Sequence, residues 1–105
     1  MNKILSENEI KQFREEGAVF LKNKFDITWI NKLRTGIKRD IKNPSPRFKS
    51  HTIQKDVPAY LEDYWTWHLV PEFKEFVYNS PYARIASELM SAEKINLVMD
   101  NWFLR

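Results

Sequence analysis

Lys94-Ile95-Asn96-Leu97-Val98-Met99-Asp100-Asn101-Trp102-Phe103-Leu104-Arg105 is the stretch on which the fold turns. In extended form it sends Ile95, Leu97, Met99 and Phe103 to one side and Val98, Trp102 and Leu104 to the other. With both faces apolar, it reads as a strand meant for the inside of a sheet and covered on both sides. The rest of the chain offers at most one other convincing strand. The sheet that this stretch fits is therefore expected to be mostly missing, and the chain is expected to be the front end of a larger protein.

Upstream of that stretch the chain is helical in character. Tyr82, Ile85, Ala86, Leu89 and Met90 recur at helical spacing behind Ser80-Pro81, and Ser80 is the expected cap. Before it, Pro71 is placed for the first turn of a helix carrying Phe73, Phe76 and Val77, which Asn79-Ser80-Pro81 closes. Tyr60, Tyr64, Trp65 and Trp67 precede this helix and read as an aromatic packing block. Arg47 to Asp56 shows no period and reads as a loop, with a short extended piece at Thr52–Ile53.

The N-terminal half repeats the theme. Ser6-Glu7-Asn8-Glu9 is a capping box, with Leu5 and Ile10 as the hydrophobic staple. The helix it opens runs from Glu7 to Glu16, faces Ile10 and Phe13 inward, and stops at Gly17. Ala18-Val19-Phe20-Leu21 is too short for a helix and reads as a buried strand, the sheet companion of the terminal stretch. A second helix, capped by Asp26 or Thr28, carries Ile30, Leu33, Ile37 and Ile41 as one apolar stripe. Its opposite face holds Lys32, Arg34, Lys38, Arg39 and Lys42, a solvated basic surface, and Asn43-Pro44-Ser45-Pro46 ends it. The fold class is α+β and mainly helical: about four helices and two short strands, Ala18–Leu21 and Lys94–Leu104, in one domain or domain fragment spanning residues 1–105.

Composition bounds the function. The 105 residues are 43% hydrophobic and 14% aromatic with two glycines, which suits a globular chain and not a disordered one. A net charge of +3 on a mixed surface does not indicate nucleic acid, and the basic helix lacks a helix-turn-helix partner. The absence of cysteine rules out disulfides and thiolate metal sites and suits a reducing, cytoplasmic setting. The N-terminus has no apolar signal region, and no run approaches the roughly 18 apolar residues of a membrane span. No Gly-rich phosphate loop or G-x-S-x-G elbow occurs. His51 and His68 stand seventeen residues apart in unrelated contexts, with no His-x-Asp or His-x-Glu, and read as surface or packing histidines. Glu15 and Glu16 read as solvated. Trp65 and Trp67 read as core, with ligand stacking as the other use. Asp100, a carboxylate inside an apolar stretch, needs a polar partner or an exposed position.

The order of these parts resembles the N-terminal portion of the phytanoyl-CoA dioxygenase family. The resemblance rests on Leu5 to Leu21, with Phe13-Arg14-Glu15-Glu16-Gly17 closing the first helix, and on Tyr82 to Arg105, with Val98-Met99-Asp100-Asn101-Trp102-Phe103-Leu104-Arg105 at its end. It implies a non-haem Fe(II) and 2-oxoglutarate dependent oxygenase, built on a double-stranded β-helix with helices outside. In such a protein the His-x-Asp pair and distal His that hold iron lie downstream of the strand matching Lys94 to Arg105. This chain has none of them, so no catalytic or metal residue is expected here and the chain is expected to be inactive alone. The resemblance puts one cofactor contact on the chain: Arg105 stands where the family often has a lysine toward 2-oxoglutarate, and a guanidinium forks onto a carboxylate. Fe(II) and 2-oxoglutarate are thus cofactors of the full-length parent. The other reading is an autonomous helical interaction module that self-associates, or pairs with a partner, through its terminal strand.

Overall fold

Two pairs of packed helices and one small sheet make up the fold. The computed structural model describes residues 3–51, 55–56 and 59–105. In chain order these form α1 (Glu7–Glu16), α2 (Ile27–Lys42), β1 (Lys49–His51), β2 (Tyr60–Tyr64), α3 (Pro71–Asn79), α4 (Tyr82–Met90) and β3 (Asn101–Leu104). The class is α+β and mainly helical.

Local chemistry sets the helix ends. The Ser6 hydroxyl accepts from the Glu9 amide at 3.1 Å while the Glu9 carboxylate accepts from the Ser6 amide at 2.8 Å. Gly17, at φ 80°, closes α1 in the left-handed region, and its N–H donates to the Phe13 carbonyl. Asp26 rather than Thr28 caps α2, its carboxylate accepting from the Thr28 amide at 2.9 Å. Pro71 fills the first turn of α3, and the Ser80 hydroxyl accepts from the Tyr82 amide at the start of α4.

Two separate apolar clusters hold these helices. Leu5 and Ile10 meet Ile85 of α4, with Ile4, Leu21, Phe25 and Leu89 around them. The Glu88 carboxylate reinforces this contact by accepting from the Ile4 and Leu5 amides at 3.0 and 2.9 Å. Burial opposes its charge, but those two amides and Arg84 outweigh burial and hold its pKa below the usual carboxylate range. The second cluster joins Val70, Phe73 and Trp102, flanked by Leu33, Ile37 and Ile41 of α2 and by Phe48, Leu61 and Trp67. There α2 approaches α3 closely at Gly36, where an added Cβ would lie 2.6 Å from a ring carbon of Phe73. Arg39 and Glu72 lock the same pair of helices with a two-pronged ion pair at 2.6 to 3.1 Å.

Among the described residues the sheet has three antiparallel strands in the order β1-β2-β3. Lys49 faces Glu62, Asp63 faces Trp102 and Leu61 faces Leu104. Three expectations change. Ala18 to Leu21 is not a strand: Leu21 turns into the α1–α4 cluster, Phe20 is 82% exposed, and among the described residues no strand pairs with it. The partner of the terminal stretch is instead β2, from the aromatic block. Within Lys94 to Leu104 only Asn101–Leu104 is strand, because the residues before Asp100 leave the sheet, with Leu97 and Met99 lying along the helices. Nor is that strand covered on both faces, since Trp102 is buried but Phe103 is 55% exposed. The extended piece at Thr52–Ile53 lies outside the described residues, and β1 ends just before it.

Backbone approach is extensive among the helices and within the sheet, while the two layers meet mainly through side chains. The radius of gyration is 16.1 Å, whereas a compact domain of this length has about 13 Å. The molecule is elongated, at 48 × 28 × 25 Å.

Candidate functional site

The layers meet at a polar centre that sequence reading missed. Asp40, on the inward face of α2, is 2% exposed, and Asp63, on the inward face of β2, is fully buried. The Asp63 carboxylate accepts from the Ser45 hydroxyl at 2.6 Å, the Ser45 amide at 3.1 Å and the Tyr64 amide at 2.8 Å. The Asp40 carboxyl accepts from the indole N–H of Trp102 at 3.1 Å. Trp102 is also the register partner of Asp63 in β2, so the two buried carboxyls are brought together, and a pair of carboxyls at one buried site shares a proton.

Physical causes assign that proton to Asp40. Burial, the hydrogen bond to Asp63 and the Asp63 charge push the Asp40 carboxyl up to about 7. Asp63 is also opposed by burial, but the hydrogen bonds from Asp40, from Ser45 and from the Tyr64 amide hold its pKa below the usual carboxylate range. Among the described residues neither carboxyl has a Lys, Arg or His ion-pair partner. One signal for this centre was present: Asp40 falls on the stripe of Leu33, Ile37 and Ile41, where a carboxylate must be satisfied from inside.

Asp100 finds its partner in a tight turn. Its carboxylate accepts from the Thr66 amide and hydroxyl at 3.1 and 3.0 Å and from the Trp67 amide at 3.1 Å. Thr66 is fully buried, so these bonds supply what solvent would otherwise supply. Trp65 precedes this turn at φ 56°, an unusual angle for a bulky side chain. Its N–H donates to the Asp100 carbonyl at 2.9 Å, and the Arg47 guanidinium donates to its carbonyl at 2.9 Å and to that of Tyr64 at 3.0 Å. The same guanidinium lies 5.3 Å from the Trp65 ring. Trp65 thus stands half in solvent, whereas Trp67 packs on the second cluster.

The remaining candidates are dispersed. His51, on the outer sheet face, contacts Glu62 at 2.9 Å and lies against Tyr60, which stacks on Phe103. His68 sits edge-on to Trp65 and Trp67 in the turn after β2. Among the described residues no group of three His, Asp or Glu is arranged to hold a metal ion. Glu15 and Glu16 are exposed, and Arg105 is exposed just beyond β3. A groove of about 310 Å³ runs between α2, α3 and the chain leading to β3, lined chiefly by Leu33, Phe73, Phe76, Trp67, Leu97 and Met99, with Asp100 at one end.

Chemically, the acid pair can take up or release one proton, the groove can receive apolar groups, and the outer edge of β3 offers main-chain hydrogen bonds. Among the described residues no helix is long and apolar enough to cross a membrane. Comparison of the chain with protein-family models, with curated proteins and with solved structures finds no match.

Proposed function

We propose that the chain is the helical front section of a phytanoyl-CoA dioxygenase-like hydroxylase dependent on Fe(II) and 2-oxoglutarate, and that it is not catalytically competent alone. The supporting observation is the state of β3. Among the described residues it pairs with β2 along one edge only, while Phe103 and Leu104 on it and Val98 and Met99 before it remain 41 to 87% exposed. Apolar residues beside an open strand edge fit a sheet that continues. In this reading further strands extend the sheet past β3 and carry the iron ligands, α2 and α3 back the sheet, and Arg105 offers a guanidinium to the 2-oxoglutarate carboxylate. The substrate is a small organic molecule chosen by residues outside this chain. A cytoplasmic setting fits the cysteine-free composition.

Calorimetric titration with Fe(II) and 2-oxoglutarate is expected to show no tight binding to this chain; submicromolar affinity would place a site here and overturn the reading. The coding sequence beyond the Arg105 codon is expected to encode a His-x-Asp and a distal His. A stop codon there would sink it.

The same edge supports a second reading, an interaction module that pairs with a partner or a second copy along β3. Sedimentation at micromolar concentration separates the two, because a clean monomer counts against self-pairing.

A further inference from the structure

We propose that Asp40 and Asp63 form a proton-operated latch that seats the three-stranded sheet on α2, closed while the pair shares a proton and released when the pair loses it.

The geometry carries this. Asp40 reaches from α2 to the Trp102 indole of β3, whose register partner in β2 is the buried Asp63, and Ser45, between α2 and β1, holds the Asp63 carboxylate. One centre thus joins β2, β3 and the loop ahead of β1 to one helix, where the layers otherwise make little close backbone contact. The neighbouring charges favour holding the proton. Asp63 faces Asp40 from β2, and Asp100 adds negative potential from the chain ahead of β3. Arg39, on the same helix, is held by Glu72 of α3, and Arg47 is spent on the Tyr64 and Trp65 carbonyls. With the proton gone, two like charges share a buried site with only neutral donors. A cleft of about 270 Å³, lined by Arg39, Asp40, Pro44, Ser45, Pro46 and Leu69, gives the proton a path to water.

Deprotonation transfers the Asp40 proton to solvent and breaks its bond to Asp63. Repulsion then drives β2 and β3 from α2, while the α1–α4 contact, which has its own apolar cluster, is unaffected.

The test is hydrogen exchange read amide by amide by NMR, corrected for the intrinsic base-catalysed rate. In the wild-type chain, amides of β2 and β3 are expected to lose at least about tenfold in protection between about pH 5 and about pH 8, with α1 and α4 amides unchanged. The Trp102 indole signal, assigned with Trp102→Phe, should titrate over the same range. Asp40→Asn keeps a donor toward Asp63 and an acceptor toward Trp102 and cannot ionise, so its sheet protection should be flat with pH. His51→Gln/His68→Gln should keep the wild-type transition. Flat sheet protection and a flat indole signal in the wild-type chain would overturn the latch, as would loss of protection spread equally over α1 and α4. So would an unchanged transition in Asp40→Asn. If that variant does not fold, the two wild-type readings decide alone.

Discussion

Replacing Gly36 by alanine sets two effects of similar size against each other, and the structure says which prevails. Gly36 lies inside α2, where alanine is intrinsically favoured by about 1 kcal/mol. Against this, the new Cβ would stand 2.6 and 2.8 Å from two ring carbons of Phe73 and 3.1 Å from the Glu72 Cβ. Carbon atoms rest at about 3.5 to 4.0 Å, so the ring or the helix must retreat by roughly 1 Å. Phe73 is 7% exposed in the second cluster, and Arg39–Glu72 pins α3 from the side, so neither moves freely. Overpacking of this kind costs about 1 to 3 kcal/mol. The balance is a net loss of about 1 kcal/mol or slightly more, which lowers Tm by roughly 4 to 8 °C for a domain of this size. Thermal and urea unfolding measure it, with Thr35→Ala, on the exposed side of the same helix, as a control for propensity that should be neutral or slightly stabilising. A Gly36→Ala chain as stable as wild type would show that α2 and α3 do not pack this closely.

Other outcomes follow from the polar centre and the caps. Asp100→Ala leaves the Thr66 amide and hydroxyl and the Trp67 amide without an acceptor and should lower urea stability by about 2 to 3 kcal/mol, with Asp100→Asn intermediate. Ser6→Ala, which breaks the capping box at an exposed helix start, should cost about 1 kcal/mol and raise amide exchange in the first turn of α1. Stability should vary with pH in the sense fixed by the pair. The folded-state pKa of Asp40 lies above its unfolded value, so its contribution is complete at acid pH and is lost as pH rises through about 7. Asp63 is shifted down, so its contribution is present above the ordinary carboxylate range and is lost only in stronger acid. Urea midpoints should therefore peak in mild acid and fall toward neutrality with a slope of up to about 1.4 kcal/mol per pH unit. A rise through that range would contradict the assignment of the proton.

The helices were legible because short-range chemistry determines their ends. Ser6, Gly17, Asp26, Pro71 and Ser80 each act within four residues, and the apolar stripes agree with them. The sheet was not legible, for reasons visible in β2. Tyr60, Glu62 and Tyr64 point outward while Leu61 and Asp63 point inward, so an inward carboxylate breaks the apolar alternation that marks a strand. What makes Asp63 tolerable there is a proton on Asp40, twenty-three positions earlier, together with Ser45, and no local pattern encodes such a partner. Ala18 to Leu21 failed in the opposite way, since it has strand composition but, among the described residues, no strand paired with it. Asp100 was recognised as needing a partner, but its partners are the Thr66 hydroxyl and two backbone amides of a turn thirty-odd positions upstream, and the amides are invisible to side-chain reading.

Seating a sheet on helices through a buried acid pair has a consequence for how the molecule opens. From the sheet side Trp102, with Leu61 and Phe48 at its margin, packs on Val70, Phe73 and the α2 stripe, and the acid pair is the polar part of this junction. Replacing buried ionisable groups by apolar ones of similar volume is often neutral or stabilising, so this junction is weaker than an apolar one would be. The helices have support that does not involve the sheet, from the Leu5–Ile10–Ile85 cluster and, between α2 and α3, from the Arg39–Glu72 ion pair and the close approach at Gly36. The sheet should therefore open as a unit before the α2–α3 pair, and amides in the middle of α2 should exchange through the rarer, global event. Exchange against rising urea distinguishes these routes: sheet amides should show a smaller denaturant dependence than α2 amides, because less surface is exposed when only the sheet leaves. Equal dependence for both would mean that sheet and helices unfold together, and that the polar joint transmits cooperativity as fully as an apolar core.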